Sequence, residues 1–554
     1  MPNIALITVK KYLEHYLNWT KKDLFPQYMI KKLLIIFLFA ALGCSKKEHK
    51  AIVPIKEIPI TIVTKEGKII ALDSAQLASR EPEIRHFYEK NDLKTYWISS
   101  LEREELLVFL NHIEEEGLNK KDFDIEKINA SEQKMSSFTD EELVEYEMLL
   151  SENVLRFVKL GSSGKLDAKK LYLDWDLKPN SIDYNALLLN FLKKDSIHDA
   201  FKKVTPSHIV YHSLKKALKI INALPKDNFT TIAIEDKIVA NDTNPKLIDI
   251  KKRLIYWKDL KAQDSLTPIY DEATVKAVKR FQSRHGLAAD GVIGKGTVTT
   301  LNVAKAQREK QIIANMERWR WFPRNLEENY VIINIPDYVL HTVTNSDTTR
   351  THFVIVGTNK RKTPILSSKL SHAVFNPTWT VPPTILKEDI IPAATRNRGY
   401  FASKNITIYN SAGESVSAYD WNPGKANSYR YVQSPGSFNS LGMVKVIFPN
   451  RFSVYLHDTN HRDYFTKTNR SLSSGCVRVQ NAIEFAEYLI ADSDKWNPEK
   501  ITEVLLNGKT TNVNFKKETY IHQLYWTAWS ENNTLQFRND IYNLDFDLYD
   551  KLRN

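Results

Sequence analysis

Val454-Tyr455-Leu456-His457-Asp458-Thr459, followed by Ser473-Ser474-Gly475-Cys476-Val477-Arg478-Val479, is the stretch on which the reading of this chain turns. The approach to His457 alternates like a strand, and in extended backbone Arg478, two residues past Cys476, points to the same side as the thiol. Cysteine is a useful nucleophile only as thiolate, and a neighbouring imidazole is the usual means of lowering its pKa towards neutrality. His457 and Cys476 are therefore the candidates for chemistry. The other cysteine, Cys44, sits directly behind an apolar segment near the start of the chain, so a disulfide would tie that segment to the far end. Cys476 is read as a free thiol.

Working outward, period-two patterning begins near Tyr330 with Val331, Ile333 and Ile335, continues through Phe353, Ile355 and Gly357, and returns at Met443–Ile447. This predicts a β-rich domain over 328–510. Between the proline-rich Asn376–Pro383 stretch and Pro435-Gly436-Ser437 lies a segment of mixed, partly helical character. An insertion that long inside a β domain is more often functional than decorative, and 386–434 is the candidate lid. The aromatic tail at 511–554, with Tyr525-Trp526 and Trp529, is expected to pack back onto the body.

Upstream the period lengthens. Residues 58–243 carry helical spacing, clearest in Leu143, Tyr146, Leu150, Val154 and Phe157 on one face, and read as a scaffold without a cluster of chemical residues. At 244–303 short helices follow: Leu247, Ile250, Leu254 and Trp257 share one face, and Ala273, Val275, Val278 and Phe281 another. The run from Asp271 through Phe281-Gln282 to Asp290-Gly291-Val292-Ile293-Gly294 and Thr297 resembles the small three-helix peptidoglycan-binding module. Asp290 and its glycines shape a turn.

At the N-terminus, Met29-Ile30-Lys31-Lys32 and the apolar Leu33–Leu42 form a charged n-region and an h-region too short to span a bilayer. Ala41-Leu42-Gly43-Cys44-Ser45 resembles the lipobox of bacterial lipoproteins, which implies a leader over 1–44, lipidation of Cys44 and a polar linker at 45–57. Translation is expected to start at Met29. At 554 residues the chain is long enough for several domains. Its formal charge of +12 is partly concentrated in the leader, and the remainder is mild over so long a chain. With no basic stripe or nucleic-acid module, a nucleic-acid partner is not expected, and an anionic wall polymer suits the charge as well.

The series Pro435-Gly436, Asn439, Leu441-Gly442, Phe448-Pro449-Asn450, Tyr455–Thr459, Phe465, Arg470 and Ser473–Arg478 resembles the catalytic domain of L,D-transpeptidases, the YkuD-type fold. More closely, the chain is similar to the large members that add a helical scaffold, a peptidoglycan-binding module and a lid. The resemblance implies a multidomain α+β chain: N-terminal helical scaffold, three-helix module, and β-rich catalytic domain with inserted lid.

It also implies a periplasmic enzyme, lipid-anchored to a bacterial membrane, the outer one foremost, acting on peptidoglycan stem peptides and glycan without a cofactor or metal. Cys476 would attack the L,D bond between a third-position diamino acid and D-alanine. His457 would move the protons, held by the carbonyl of Asp458 or, less readily, by its carboxylate. Gly475 would allow close backbone approach, with main-chain N–H groups of Gly475 and Cys476 as oxyanion donors. Arg478, Ser473, Ser474, Asn439 and Trp379 are the candidates for substrate contact, Arg478 equally for a structural ion pair, and Arg470 for structural support. One departure is plain: most of the family has histidine before the motif glycine, where this chain has Ser474.

Other readings stay open at this level. His457 and His461 have the spacing of two zinc ligands on a helix, with Cys476 as a third, although the strand-like approach disfavours a helix. NlpC-type peptidases place thiol before histidine, and sortases separate the two more widely. A wall-binding lipoprotein with a dead catalytic domain is the non-enzymatic alternative.

Overall fold

The computed structural model describes residues 65–193, 197–492 and 494–554; the leader with Cys44 and the linker at 45–57 lie outside them. No described helix is long and apolar enough to cross a membrane.

Helix α1 (Asp140–Ser163) is the spine of the helical region. Thr139 starts it with a capping box, its hydroxyl accepting from the Glu142 amide while the Glu142 carboxylate accepts from the Thr139 amide. The expected stripe is only part of what this helix buries. Beside Tyr146, Leu150, Val154 and Phe157, the core takes in Val144, Met148, Leu149, Leu155 and Val158, and Leu143 is half-buried. A helix enclosed on most sides must satisfy its polar groups internally. Glu147 does so by accepting from the Tyr88 hydroxyl (2.6 Å) and the amides of Tyr96 (2.7 Å) and Trp97 (3.0 Å), while burial pushes its carboxyl up to about 7.

Three helices form the next unit: α2 (Lys246–Tyr256), α3 (Glu272–Arg284) and α4 (Lys295–Leu301). Leu247, Ile250 and Leu254 are fully buried as expected. On α3 the expected face is corrected: Thr274, Ala277, Val278 and Phe281 point inward, Ala273 is exposed and Val275 half-buried. The buried set follows the i, i+3, i+4, i+7 rule, which the Ala273–Val275 pair breaks.

Helix α5 (Lys305–Trp321) joins the parts and is buried along almost its whole length. Two of its buried charges are paired: Arg318 with Asp545 of α7 (Asp545–Arg553) at 3.0 Å, and Arg320 with Glu317 at 3.0 Å, while buried Arg308 rests on Gln311 and the Phe537 ring. Glu317 also accepts from the amides of Lys165 (2.5 Å) and Leu166 (3.1 Å), and Asn315 exchanges two hydrogen bonds with Thr527. Deleting one partner of such a pair costs about 3–5 kcal/mol, because the other charge is stranded. The helix thus fixes the scaffold to the β domain.

The strands, in chain order, are β1 (Trp175–Asp176), β2 (Asn329–Asn334), β3 (Val339–Thr344), β4 (Asp347–Gly357), β5 (Ile365–Lys369) and β6 (His372–Phe375). They continue with β7 (Trp379–Thr380), β8 (Ile406–Tyr409), β9 (Ser415–Val416), β10 (Arg430–Gln433), β11 (Val444–Ile447) and β12 (Leu456–His457). Next come β13 (Ser471–Ser473), β14 (Val477–Val479), β15 (Thr511–Asn514) and β16 (Tyr520–Leu524), and last a separate hairpin of β17 (Ala528–Glu531) and β18 (Thr534–Phe537). The main sheet runs β1-β5-β16-β2-β3-β4-β14-β12-β11-β6-β15, with β13 beside β4. Only Leu370 and Ser371 separate β5 from β6, and their amides bond to Thr519 O (2.9 Å) and Ile447 O (2.8 Å). A two-residue bend thus carries the chain from β5, near one end of the path, to β6, near the other.

Two boundaries are corrected. The β domain does not end at 510: β15 pairs with β6, and β16 lies between β5 and β2, parallel to β2. Ile521 and Leu524 are fully buried there, so the tail is part of the sheet and does not merely rest on it. The insertion expected as a lid is also wider than 386–434. Its sheet, β7-β10-β8-β9, begins at Trp379, and its core of Val381, Leu386, Ile390, Phe401, Trp421 and Tyr431 is separate from the main one. The short strand at Trp379–Thr380 was hidden among prolines that break the periodic signal.

Candidate active site

The site is built on β12, a two-residue strand held parallel to β14 and antiparallel to β11. Registers place His457 opposite Arg478 on one side and opposite Lys445 on the other, and the Val477 amide bonds to Tyr455 O (3.2 Å). Because side chains alternate along strands, Tyr455, His457, Lys445, Cys476 and Arg478 share one face. The opposite face is core: Val446, Leu456, Val477 and Val479 are buried, and α6 (Ala482–Ile490) packs against β11 and β6. Strand spacing and rise put the backbones of His457 and Cys476 about 8 Å apart as diagonal neighbours, with both side chains on the same side.

His457 is buried, and its Nδ1 donates to the carbonyl oxygen of Asp458 at 2.5 Å. That bond fixes the tautomer with the proton on Nδ1 and leaves Nε2 as acceptor. Burial first, then the Arg478 and Lys445 charges, lower the imidazole to about 3. The thiol moves the other way: burial pushes Cys476 up to about 11, against the opposing pull of Tyr455, Arg478 and Lys445. Both shifts favour the neutral thiol and the neutral imidazole. The direction differs from the thiolate anticipated from the sequence, because desolvation of the half-buried thiol opposes the nearby cations.

Tyr455 and Trp379 lie beside one another at the site, and Tyr455 acts on the thiol through its backbone and its side chain, both lowering it. Trp379 stands on β7, the first strand of the inserted segment. Tyr455 lies two residues before His457, and period two alone places it on the catalytic face, a signal available in the sequence. Lys445 carried no such signal, since its position depends on the β11–β12 register. Its ammonium lies 5.6 Å from the centre of the Tyr455 ring.

Arg478 has no carboxylate partner among the described residues. One guanidinium nitrogen reaches the Thr459 hydroxyl (3.4 Å) and its buried Nε is unpartnered. The alternative of a structural ion pair therefore has no counter-charge here. Arg470 is structural: it donates to the carbonyls of Val354, Lys467 and Tyr338 and lies over the Tyr338 and Phe353 rings.

Other expected contacts are placed differently. The Asp458 carboxylate turns away from the imidazole, accepting from the Met443 amide (2.9 Å) and Arg462 (2.6 Å). A Cβ on Gly442, whose φ is +61°, would lie 2.3 Å from that carboxylate, so only glycine fits the turn. Ser473, expected at the substrate, is buried; its hydroxyl donates to Cys476 O (2.6 Å) and accepts from the Gly475 amide (3.2 Å). That use commits the Gly475 N–H, one of the two main-chain donors expected at the site. Asn439 is likewise occupied, donating to Pro377 O and Ser434 O and accepting from the Leu441 amide. Both side chains close turns, which consumes the polar atoms a substrate would need.

Gly475 adopts φ +114°, and a Cβ there would sit 3.3 Å from Lys362 O. Ser474 is exposed and its hydroxyl accepts from Arg361 (2.9 Å). His461 stacks on Tyr464 at the mouth of a 3-10 turn, so it does not share a helix face with His457. Among the described residues no cluster of His, Cys, Asp and Glu is arranged to hold a metal.

Residues 328–531 match the family model described as the L,D-transpeptidase catalytic domain, 243–301 the "Putative peptidoglycan binding domain" and 82–218 the scaffold domain. A Haemophilus influenzae protein named "Putative L,D-transpeptidase" is 34% identical over 239 residues, which is 43% of this chain and 48% of the relative, about half its length. Two solved L,D-transpeptidase structures are also similar. That from Xylanimonas cellulosilytica is 16% identical over 53% of this chain and 99% of its own, with a TM-score of 0.16. That from Stackebrandtia nassauensis is 14% identical over 53% and 97%, with a TM-score of 0.19.

Proposed function

For a chain that carries an L,D-transpeptidase catalytic domain behind a scaffold and a peptidoglycan-binding domain, we propose acyl transfer through Cys476 between peptidoglycan stem peptides. The observation that carries this reading is the shared face of His457, Cys476, Arg478 and Lys445, with no carboxylate paired to the two cations among the described residues and the nearby Asp458 committed to Arg462.

The donor is a tetrapeptide stem, and its carboxylates are drawn to Arg478 and Lys445. As Sγ attacks the carbonyl of the third-position diamino acid, the S–H proton passes to Nε2 of His457 and the S–C bond forms. The oxyanion is met by the Cys476 N–H, a donor worth about 3–4 kcal/mol of barrier in comparable sites. His457 then gives its proton to the nitrogen of D-alanine as the C–N bond breaks, leaving a thioester. An acceptor amine attacks the thioester, its proton returns through His457 to sulfur, and the thiol is restored.

Because the resting pair is neutral, the proton moves with the attack. The cations stabilise charge only as it develops, which is where stabilisation accelerates the step. The acceptor is a second stem, which gives a cross-link between third-position residues. The lid excludes competing water. The Cys44 motif supports a periplasmic, lipid-anchored location.

The test is incubation of purified protein with disaccharide-tetrapeptide and mass spectrometry of the products. Free D-alanine and a dimer lacking one D-alanine are expected, both absent with Cys476→Ala. Dimer formed by Cys476→Ala would overturn the reading.

A further inference from the structure

Arg361 lies on the turn between β4 and β5, and all five of its N–H donors are engaged. Nε and Nη2 reach Glu388 (3.2 and 2.7 Å), Nη1 and Nη2 reach Asp389 (2.7 and 2.9 Å), and Nη1 also reaches the Ser474 hydroxyl (2.9 Å). Glu388 and Asp389 belong to the lid, on a π-turn at Leu386–Ile390 within its first helical segment. Such turns are rare and frequent at functional sites. Ser474 precedes Gly475 and Cys476 on the nucleophile loop.

The same turn cradles that loop from beneath: the Thr363 hydroxyl donates to Gly475 O (2.8 Å), and Lys362 O faces Gly475. Lys360 adds a second cation to Glu388 at 3.0 Å. A guanidinium fork with every donor committed is a rigid joint, whereas a lysine would hold one point.

We propose that Arg361 is a positioning residue that couples closure of the lid to the set of the nucleophile loop. With Glu388 and Asp389 in place, the guanidinium is fixed and holds Ser474, hence the Gly475–Cys476 turn. When the lid lifts, the carboxylates leave and the loop loses that brace. Ser474, standing where most of the family has histidine, thereby gives this chain a loop support that depends on the lid. The inference deepens the proposed function, and its test reads the thiol directly, so failure of one does not imply failure of the other.

The experiment is alkylation of Cys476 by iodoacetamide in the full chain, followed by mass spectrometry of the Cys476 peptide. Lifting the lid side with Glu388→Gln/Asp389→Asn should raise the rate about fivefold, the scale of a partly exposed ion-pair network. Arg361→Gln should do the same, and the triple variant should be no faster than either. One molar salt should accelerate the wild type toward the variants and leave Arg361→Gln unmoved. Arg361→Lys, which keeps the charge without the fork, should remain fast, and melting curves verify folding throughout. Wild-type rates in both the lid variant and Arg361→Gln, or strictly additive effects in the triple variant, would overturn the proposal.

Discussion

His457 donates from Nδ1 to the carbonyl oxygen of Asp458 at 2.5 Å, while the carboxylate of that same Asp458 faces the other way, onto the Met443 amide and Arg462. The orienting group for the imidazole is main chain, and no side-chain substitution at 458 removes it. Asp458→Asn should therefore change kcat/KM by less than about tenfold, where loss of an orienting carboxylate costs about 10⁴-fold. It should instead lower stability by about 1–3 kcal/mol, since a buried acceptor of charged hydrogen bonds is weakened. Steady-state kinetics beside urea unfolding separate the two outcomes.

The unpaired cations predict opposite movements of activity and stability. Arg478→Met and Lys445→Met should each reduce kcat/KM for stem peptides about 10- to 100-fold, the weight of a hydrogen bond to a charged group. Melting temperatures should hold or rise, because a desolvated cation without a counter-charge is replaced by an apolar chain. The wild type's preference for stems with free over amidated carboxylates should shrink in both variants. A fall in stability by several kcal/mol would assign the cations to structure.

Thiol ionisation should follow Tyr455. The hydroxyl favours the thiolate less than the Tyr455 backbone and the two cations do, so Tyr455→Phe should slow alkylation of Cys476 at pH 8 by less than about tenfold. In the wild type the rate should climb steadily from pH 7 to 10, with no inflection near 6.5, because the thiol stands at about 11 and the imidazole at about 3.

The same shifts make stability depend on pH. His457 ionises at about 3 when folded against an ordinary 6.5, so its contribution is whole above 6.5 and is lost as pH falls towards 3. The loss between pH 7 and 4 should approach about 3 kcal/mol. Urea unfolding of His457→Gln at the two pH values should show a correspondingly smaller drop.

Lid removal tests water exclusion. Replacing the segment between β7 and β10 with a short linker should raise hydrolysis of stem peptides relative to dimer formation. An unchanged ratio on purified muropeptides would remove the lid from that role.

That His457 and Cys476 fall on neighbouring strands was legible because a strand approach, a glycine and a cysteine in fixed order survive without knowledge of the fold. The α+β multidomain architecture was legible for a similar reason: the change from helical to strand period is local. Lys445 and the insertion of β16 between β5 and β2 were not, since each is a fact of long-range pairing. Tyr520–Leu524 reads in sequence as an aromatic tail, and nothing local says that its partners are Tyr330–Asn334 on one side and Leu366–Lys369 on the other. Ser473 and Asn439 illustrate a different limit. Their residue types suit substrate contact, but the turns they close consume the same polar atoms, and only the folded loop shows which use prevails. The resting thiol is a balance of burial against charge, which spacing does not convey.

The central claim is that Cys476 carries the acyl group, and intact mass spectrometry of the protein mixed with a tetrapeptide stem tests it most directly. The account predicts an adduct equal to the stem less D-alanine, mapped to Cys476, missing in Cys476→Ala and nearly missing in His457→Ala. An unmodified Cys476 alongside turnover, or an adduct on another residue, would contradict it.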